Sequence, residues 1–197
     1  MSQPTEKVVD LRRRTGAGMM DCKTAIEDAA GDIEKAIEIL RTKGIAKASK
    51  KAERPTAAGV VESYIHPGER LGVLIEVDVE TDFVARNQEF RRFVRDLAMH
   101  IAAADPVAID RTGVAAEVIE REKRIYEEQV TQSGKPASIV EKIVQGKLEK
   151  FYADVCLLEQ PFVKAPEKTV GDYLKETIAK FGENTVIRRF ARFKLGE

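Results

Sequence analysis

Cysteine is scarce in this chain, and long apolar runs are missing from it. Only two of the 197 residues are cysteines, Cys22 and Cys156, and they form no CxxC pair, so reduced thiols are expected. No apolar run reaches the roughly 18 residues that a membrane-spanning helix needs. The first residues, MSQPTEKVVD, lack the basic start and apolar block of a secretory signal. These absences predict a cytoplasmic protein with no membrane partner.

A surplus of positive charge is also missing. Lysine plus arginine and aspartate plus glutamate both number 33, so the formal net charge is zero, which argues against a broad electrostatic grip on nucleic acid. One local basic cluster is nevertheless present. It comprises Lys43, Lys47, Lys50, Lys51 and Arg54. We favour a solvated helix surface for this cluster and expect no direct nucleic-acid binding, with RNA contact as the alternative.

The residues that carry most enzyme chemistry follow no recognisable pattern. His66 and His100, like the two cysteines, are scattered without metal-ligand spacing. His100 lies in an apolar helix pattern and is expected to be a hydrogen-bonded helix residue, whereas His66 lies in a predicted turn and should be more exposed. The glycines at 16 and 18 lack the third glycine and the preceding strand of a dinucleotide loop. The sequence therefore predicts no catalytic residue, no metal site and no cofactor.

Three short helices are predicted in the first 44 residues. Their N-caps are expected at Thr5, Asp21 and Asp32, and their ends at Gly16, Gly31 and Gly44. Residues 45–58 contain few large apolar side chains and predict a solvated helical extension that runs into a linker near Pro55. We therefore predict a three-helix module with a basic helical extension over residues 1–54 and a larger domain over residues 55–197.

The larger domain is predicted to be α+β. From Gly59 the apolar period changes to two, which indicates a β-hairpin with one buried face and a turn at residues 66–70. Helical patterns follow at 88–103, stopping near Asp105-Pro106, then at 114–133, at 137–158 with a break at Gly146, and at about 170–181. The segment TVIRRFARFKL predicts a last strand. A few antiparallel strands with helices packed on one side are expected.

The stretch TDFVARN, residues 81–87, places a large apolar ring at a predicted strand–helix junction. From the residues alone, a core plug is favoured for Phe83 over a protruding contact. The case for protrusion is that Val79 and Val84 can close the core, while Asp82 and Arg86 keep the turn in water. An exposed aromatic side chain with charged flanks is typical of an interface anchor.

A second unusual feature is the pair Met19 and Met20 in a predicted interhelix turn. Helical periodicity can bury one of the two side chains easily, but not both. Methionine is a flexible, polarisable side chain that suits adaptable contact surfaces. The pair is therefore a candidate contact site.

Two segments resemble the signatures of the bacterial elongation factor Ts family. They are LRRRTGAGMMDCK at 11–23 and EVDVETDFVAR at 76–86. Shorter stretches, AMHIAAADP, SGKP, LLEQPFV and IRRF, are similar to the family as well, so the resemblance runs from about residue 5 to the end. Two positions depart from the pattern: Asp78 stands where asparagine is usual, and Ile26 where leucine is common. Both departures are mild.

The resemblance implies a guanine nucleotide exchange factor for elongation factor Tu, a GTPase. It implies that the N-terminal module has a three-helix, ubiquitin-associated-like fold and docks on the partner's nucleotide-binding domain through Arg12, Met19 and Met20. It further implies that Phe83, with Asp82 beside it, intrudes near the partner's magnesium site. The Mg²⁺-displacing region would be Thr81, Asp82, Phe83 and Val84. The partner would be bound both with GDP and free of nucleotide.

The chain is short for this family, and the resemblance implies that longer members have a core made of two related halves. A homodimer that restores the second half is therefore expected, with His66 as a weaker candidate for partner contact. Two other functions stay open at this point. One is an RNA-binding translation accessory protein that uses the basic cluster, and the other is a hydrolase that uses Asp82 or Glu80.

Overall fold

The protein is described by a computed structural model that covers residues 4–132 and 137–197. The helices are α1 Pro4–Thr15, α2 Met19–Asp28, α3 Ile33–Lys51, α4 Asp82–Ala85, α5 Gln88–Ala104, α6 Ala116–Thr131, α7 Ala137–Val155 and α8 Val170–Phe181. The strands are β1 Ala58–Ile65, β2 Leu71–Val79, β3 Pro161–Phe162, β4 Ala165–Thr169 and β5 Thr185–Lys194. Short 3₁₀ helices cover Arg111–Gly113 and Leu157–Glu159. The predicted α+β class is confirmed.

Two compact units are formed by segments that are discontinuous in sequence. The first unit takes in the chain up to Glu62, Glu76–Val94 and Asp172–Arg188, and the second takes in the rest. Strands order as β1-β2-β5 in one sheet, and β3 and β4 pair in another. The division into domains at residues 1–54 and 55–197 stays a prediction. Among the described residues, no helix has the length and apolar character to cross a bilayer.

The three-helix module is confirmed, with its own small core. Leu11, Cys22, Ala25 and Ala36 are all fully buried there. Asp32 caps α3 as predicted, since its Oδ1 accepts hydrogen bonds from the backbone N–H groups of Glu34 and Lys35, the second and third residues of the helix. The small side chains let three short helices approach closely enough to share a core.

Two other predicted caps of this module are wrong. Helix α1 already begins at Pro4, so Thr5 lies inside its first turn. Helix α2 begins at Met19 with Gly18 as its N-cap, so Asp21 lies inside its first turn. Proline suits the first position of a helix because its missing N–H would have no intrahelical partner there.

Helix α3 does not end at Gly44, as the sequence had indicated, but continues to Lys51. A Cβ placed on Gly44 would lie 3.2 Å from the Cβ of Ala179, so the glycine permits a close approach to helix α8. The Nζ of Lys51 donates a hydrogen bond of 2.7 Å to the carbonyl of Gly182, which fixes the helix end. Tertiary packing therefore outweighs the weak helix propensity of glycine.

The β-hairpin and its turn at residues 66–70 are confirmed. On β2 the alternate residues Val73, Ile75, Val77 and Val79 are buried. On β1 the buried side chain is Val60, whereas Val61 and Ile65 on the opposite face are exposed. The hairpin therefore has one buried face, and part of its apolar pattern lies on the other face.

Later elements follow the predictions with two differences. Helix α5 buries Phe90, Phe93, Leu97 and Ile101, as its spacing predicts. Helix α7 passes through Gly146 without the predicted break and ends at Val155, before the predicted end at residue 158. The short strands β3 and β4 were not predicted. The predicted end of the preceding helix at residue 134 lies outside the described residues.

Candidate protein-binding site

Phe83 protrudes from a one-turn helix, α4, at the end of strand β2. Its side chain is 83% exposed, whereas Val79 and Val84 on either side are buried. The favoured interpretation of Phe83 as a core plug is therefore wrong. The two valines close the core at this point, and the ring is left in solvent.

The flanks of the ring are charged and wet. The side chains of Asp82 and Arg86 are 74% and 82% exposed, and they form an ion pair of 3.5 Å one helical turn apart. Exposed pairs of this kind contribute little to stability. They keep the segment in contact with water.

The base of this segment is fixed by hydrogen bonds. The Oγ1 of Thr81 accepts a hydrogen bond of 3.5 Å from the backbone N–H of Val84, which caps helix α4. The carboxylate of Glu183 accepts two hydrogen bonds from Thr81, one from its backbone N–H at 3.0 Å and one from its hydroxyl at 2.7 Å. An exposed ring therefore stands on a backbone that is held in place.

Met19 and Met20 open helix α2 and are both solvent-exposed, at 44% and 70%. The structure places them in the first helical turn and not in the interhelix turn that was predicted. Gly16, in the preceding connection, has φ of +69°, which a residue with a side chain rarely adopts. This sharp turn sets both thioethers on the surface.

Arg12 differs from the two arginines that follow it in helix α1. Arg13 and Arg14 form ion pairs with Asp10, and Arg14 also pairs with Glu34. Arg12 is exposed and forms no ion pair within residues 4–132 and 137–197. Its guanidinium is therefore available to a partner.

Contacts within the first unit connect the helical module to the start of helix α5. A Cβ placed on Gly16 would lie 3.2 Å from the Cε of Lys180, so the turn before Met19 lies against that side chain. The Nζ of Lys180 forms an ion pair of 3.1 Å with Glu89. The methionine turn and the helix that follows Phe83 are therefore linked through helix α8.

His66 lies in the second unit, at the hairpin turn. It is exposed, and its Nδ1 is 3.0 Å from the hydroxyl of Tyr64. The hydrogen bond with Tyr64 therefore orients the exposed imidazole of His66 at the hairpin turn. Contact of His66 with a partner stays a prediction.

His100 is a buried, hydrogen-bonded helix residue, as predicted. Its Nδ1 accepts from the backbone N–H of Val163 at 3.2 Å, so its Nε2 donates to the Oε1 of Gln160 at 2.9 Å. The Nε2 of Gln160 then donates to the carbonyls of Ala104 and Asp154. This network requires the neutral imidazole, and burial lowers the pKa of His100 below its usual value.

We expect this histidine to make unfolding sensitive to mild acid. Because its pKa is lowered in the folded state, its contribution is complete above pH 6.5 and is lost as the pH falls below that value, by at most about 1.4 kcal/mol per pH unit. Urea unfolding at pH 7.5 and 5.5 measures the loss. His100→Gln should flatten the dependence, whereas His66→Gln should keep it. An equal loss in His100→Gln would assign the effect to other groups.

Both cysteines are buried free thiols. Burial raises the pKa of Cys22 and of Cys156, so neither thiol is activated as a nucleophile. Among the described residues, no group of three or more histidine, cysteine, aspartate or glutamate side chains is placed to hold a metal ion. Within residues 4–132 and 137–197, the surface around Phe83 is therefore the main candidate for a functional site, and it is a candidate protein-binding site.

Two site features were not predicted from the sequence. Glu183 and Asn184 lie in the connection between α8 and β5 and contact the base of the Phe83 segment. Asp78, a departure from the family pattern, pairs with Arg188 at 2.8 Å, so its extra negative charge is offset locally. The only sequence signal for Glu183 and Asn184 is that the segment GEN, residues 182–184, has the composition of a turn, and such a composition is a poor indicator of a functional role.

An exposed aromatic tip and an exposed methionine pair on an α+β fold are typical of the class of proteins that bind another macromolecule. The chain belongs to the elongation factor Ts family, since a family model described as "Elongation factor TS" matches residues 2–197.

Curated relatives agree with this assignment over the full chain. Elongation factor Ts of Carboxydothermus hydrogenoformans is 61% identical over 193 residues, which cover 98% of this chain and 89% of the relative. Elongation factor Ts of Citrifermentans bemidjiense is 59% identical over 197 residues, 100% of this chain and 91% of the relative. That of Caldanaerobacter subterraneus subsp. tengcongensis is 59% identical over 192 residues, 98% and 96% of the two chains.

Proposed function

We propose that this chain is a guanine nucleotide exchange factor for elongation factor Tu. It binds the GDP-bound form, promotes GDP release, and allows GTP to reload during translation elongation in the cytoplasm. The observation that carries the proposal is Phe83, a ring 83% exposed on a segment whose base is held by hydrogen bonds. Membership of the family supports it. No covalent chemistry by this chain is required.

Two surfaces divide the work in this proposal. Arg12, Met19 and Met20 dock on the nucleotide-binding domain of elongation factor Tu, where adaptable thioethers and a free guanidinium suit a protein contact. Thr81, Asp82, Phe83 and Val84 form the segment that disturbs the Mg²⁺ and phosphate site. Asp82 adds a carboxylate beside the intruding ring.

Burial of the Phe83 ring supplies energy for the distortion. Complete burial of such a side chain contributes roughly 1.5–3 kcal/mol. That energy promotes release only if the ring is buried more completely when the nucleotide is absent. Binding of the factor and binding of GDP then oppose each other, and the coupling is reciprocal.

Reciprocity provides the test of this function. The factor's affinity should be higher for nucleotide-free elongation factor Tu than for the GDP-bound form, and the ratio should equal the factor by which this chain weakens GDP binding. Titration calorimetry with both partner forms measures the ratio. Equal affinities for the two forms would exclude an exchange mechanism, and affinity for neither form would exclude the partner.

Direct RNA binding is the less favoured function. Three cations of the basic cluster already make internal contacts: Lys43 pairs with Asp28, Lys51 bonds to a carbonyl, and Arg54 lies 3.6 Å from Glu80. The side chain of Lys47 lies outside the described set. A cluster engaged in this way presents little free charge to phosphates. Salt-sensitive RNA affinity without binding of elongation factor Tu would favour the alternative.

A hydrolase is also disfavoured by the contacts of its candidate carboxylates. The Oε1 of Glu80 accepts a hydrogen bond of 2.6 Å from the backbone N–H of Asn184 and lies beside Arg54. Asp82 is paired with Arg86 in solvent. Glu80 is therefore engaged in supporting the fold, and Asp82 is engaged with a neighbouring cation in solvent.

We further propose that the chain forms a homodimer through an apolar sheet face in the second unit. The face comprises Ile65, Leu74, Phe193 and Leu195, which are 60%, 48%, 72% and 67% exposed. They line one cleft together with neighbouring residues, which include Arg70 and Lys194. A second copy of the same face covers it by sheet-on-sheet packing, and one elongation factor Tu then contacts Phe83 of one subunit and His66 of the other.

Sedimentation equilibrium tests the dimer. Phe193→Asp should weaken self-association by about 30-fold or more, because a charge replaces a central aromatic side chain. Val107→Asp is the matched control, since Val107 is 71% exposed but lies outside the apolar sheet face. A wild-type monomer at micromolar concentration would contradict the proposal.

A further inference from the structure

The connection between helix α8 and strand β5 contacts both the linker and the base of the Phe83 segment. It comprises Gly182, Glu183 and Asn184, and all of its contacts described here lie within the first unit. Neither the sequence motifs nor the proposed contact residues include these three positions. Their hydrogen bonds assign them a specific task.

The carboxylate of Glu183 accepts hydrogen bonds from both donors of Thr81, the backbone N–H and the side-chain hydroxyl. Its Oε2 accepts from the backbone N–H at 3.0 Å, and its Oε1 accepts from the hydroxyl at 2.7 Å. Because the hydroxyl proton points to Glu183, an oxygen lone pair is left to face the backbone N–H of Val84. Glu183 therefore determines the orientation of the cap on which helix α4 depends.

Helix α4 cannot hold its own shape. Its four residues, Asp82–Ala85, are far fewer than an isolated helix needs for stability in water. Phe83 adds no anchorage, since its ring is exposed. The direction in which the ring leaves the surface is therefore determined by Thr81 below and by the buried Val84 beside it.

Asn184 connects the base of the Phe83 segment to the linker through hydrogen bonds. Its side chain is buried, and its Nδ2 donates to the carbonyls of Ala52 at 3.2 Å and Arg54 at 2.8 Å. Its backbone N–H donates to Glu80, the residue before Thr81. The linker that leads from the three-helix module and the base of the Phe83 segment are thus held by adjacent residues.

We propose that Glu183 is a positioning residue for nucleotide exchange: it holds Thr81 so that Phe83 points toward the partner's nucleotide site. This inference rests on the proposed function. Without Glu183, the ring must be ordered during binding, and that ordering consumes energy otherwise available for distortion. Docking through Arg12 and the two methionines does not depend on Glu183.

The test measures GDP release from elongation factor Tu over a range of factor concentrations. Glu183→Ala should lower the maximal release rate by about tenfold, with less than about a twofold change in the half-saturating concentration. Glu183→Gln should recover most of the rate, because the amide oxygen still accepts one hydrogen bond from Thr81. Glu167→Ala, which removes an exposed carboxylate of strand β4, should match the wild type.

A double-mutant cycle separates positioning from general damage. In a Phe83→Ala background, Glu183→Ala should cause no further loss, since there is no ring left to orient. Amide hydrogen exchange at Val84 in the isolated protein should be faster in Glu183→Ala, with the global melting temperature within a few degrees of the wild type.

Separate results overturn the inference and the proposed function. A wild-type rate in Glu183→Ala, or losses that add fully to those of Phe83→Ala, would overturn the positioning role alone. A wild-type protein that fails to accelerate GDP release would overturn the proposed function, and the role of Glu183 in exchange with it.

Discussion

Phe83→Ala should lower the maximal rate of GDP release from elongation factor Tu by about 10- to 100-fold. The ring contributes roughly 1.5–3 kcal/mol when buried, and about 1.36 kcal/mol corresponds to a factor of ten in rate. Because the side chain is 83% exposed in the free protein, its removal should leave the free energy of unfolding within about 0.5 kcal/mol of the wild type. Stopped-flow release of a fluorescent GDP and urea unfolding measure the two quantities.

The matched control for this variant is Val107→Ala. Val107 is 71% exposed, and the substitution removes an apolar side chain from a surface outside the proposed contact sites. It should leave the release rate unchanged. If Phe83→Ala released GDP as fast as the wild type, the ring would be a spectator, and Asp82 or the three-helix module would have to cause the distortion.

Phe90→Ala should have the largest effect on stability, about 3–5 kcal/mol of the free energy of unfolding. Phe90 is fully buried on helix α5, close behind the Phe83 segment. Its ring lies 6.1 Å from that of Phe93 and 5.8 Å, edge to face, from that of Phe181. Truncation removes these contacts and leaves a cavity that neighbouring rings cannot fill completely.

Urea unfolding of Phe90→Ala beside Phe83→Ala compares the same chemical change at a buried and an exposed site. The difference between the two free energies should be at least about 3 kcal/mol. A loss below about 1 kcal/mol in Phe90→Ala would mean that the core around helix α5 is looser than its burial indicates.

Periodicity located the elements that bury a regular apolar face. Helix α5 and strand β2 carry their apolar residues at unbroken spacings, so their buried faces could be read directly. The Asp32 cap was predicted from a short acceptor side chain just before helix-forming residues, but the same pattern misplaced the caps at Thr5 and Asp21. These features are determined by interactions between near neighbours in sequence.

Long-range packing decided the features that the sequence did not predict. Gly44 continues a helix because α8 approaches it closely, and the connection at Glu183 matters because Thr81 lies beside it. For Phe83 the composition alone favoured a core plug, which is wrong, since burial and exposure differ only in whether Val79 and Val84 fill the space first. The contacts of Gly44 and Glu183 join residues about 100 or more positions apart, which a local pattern does not encode.

Release of fluorescent GDP from elongation factor Tu on mixing with the wild-type chain tests the central proposal most directly. The account predicts acceleration by orders of magnitude over spontaneous release, with a rate that saturates as the factor concentration rises. A rate equal to spontaneous release, with a matched partner and folded protein, would contradict it.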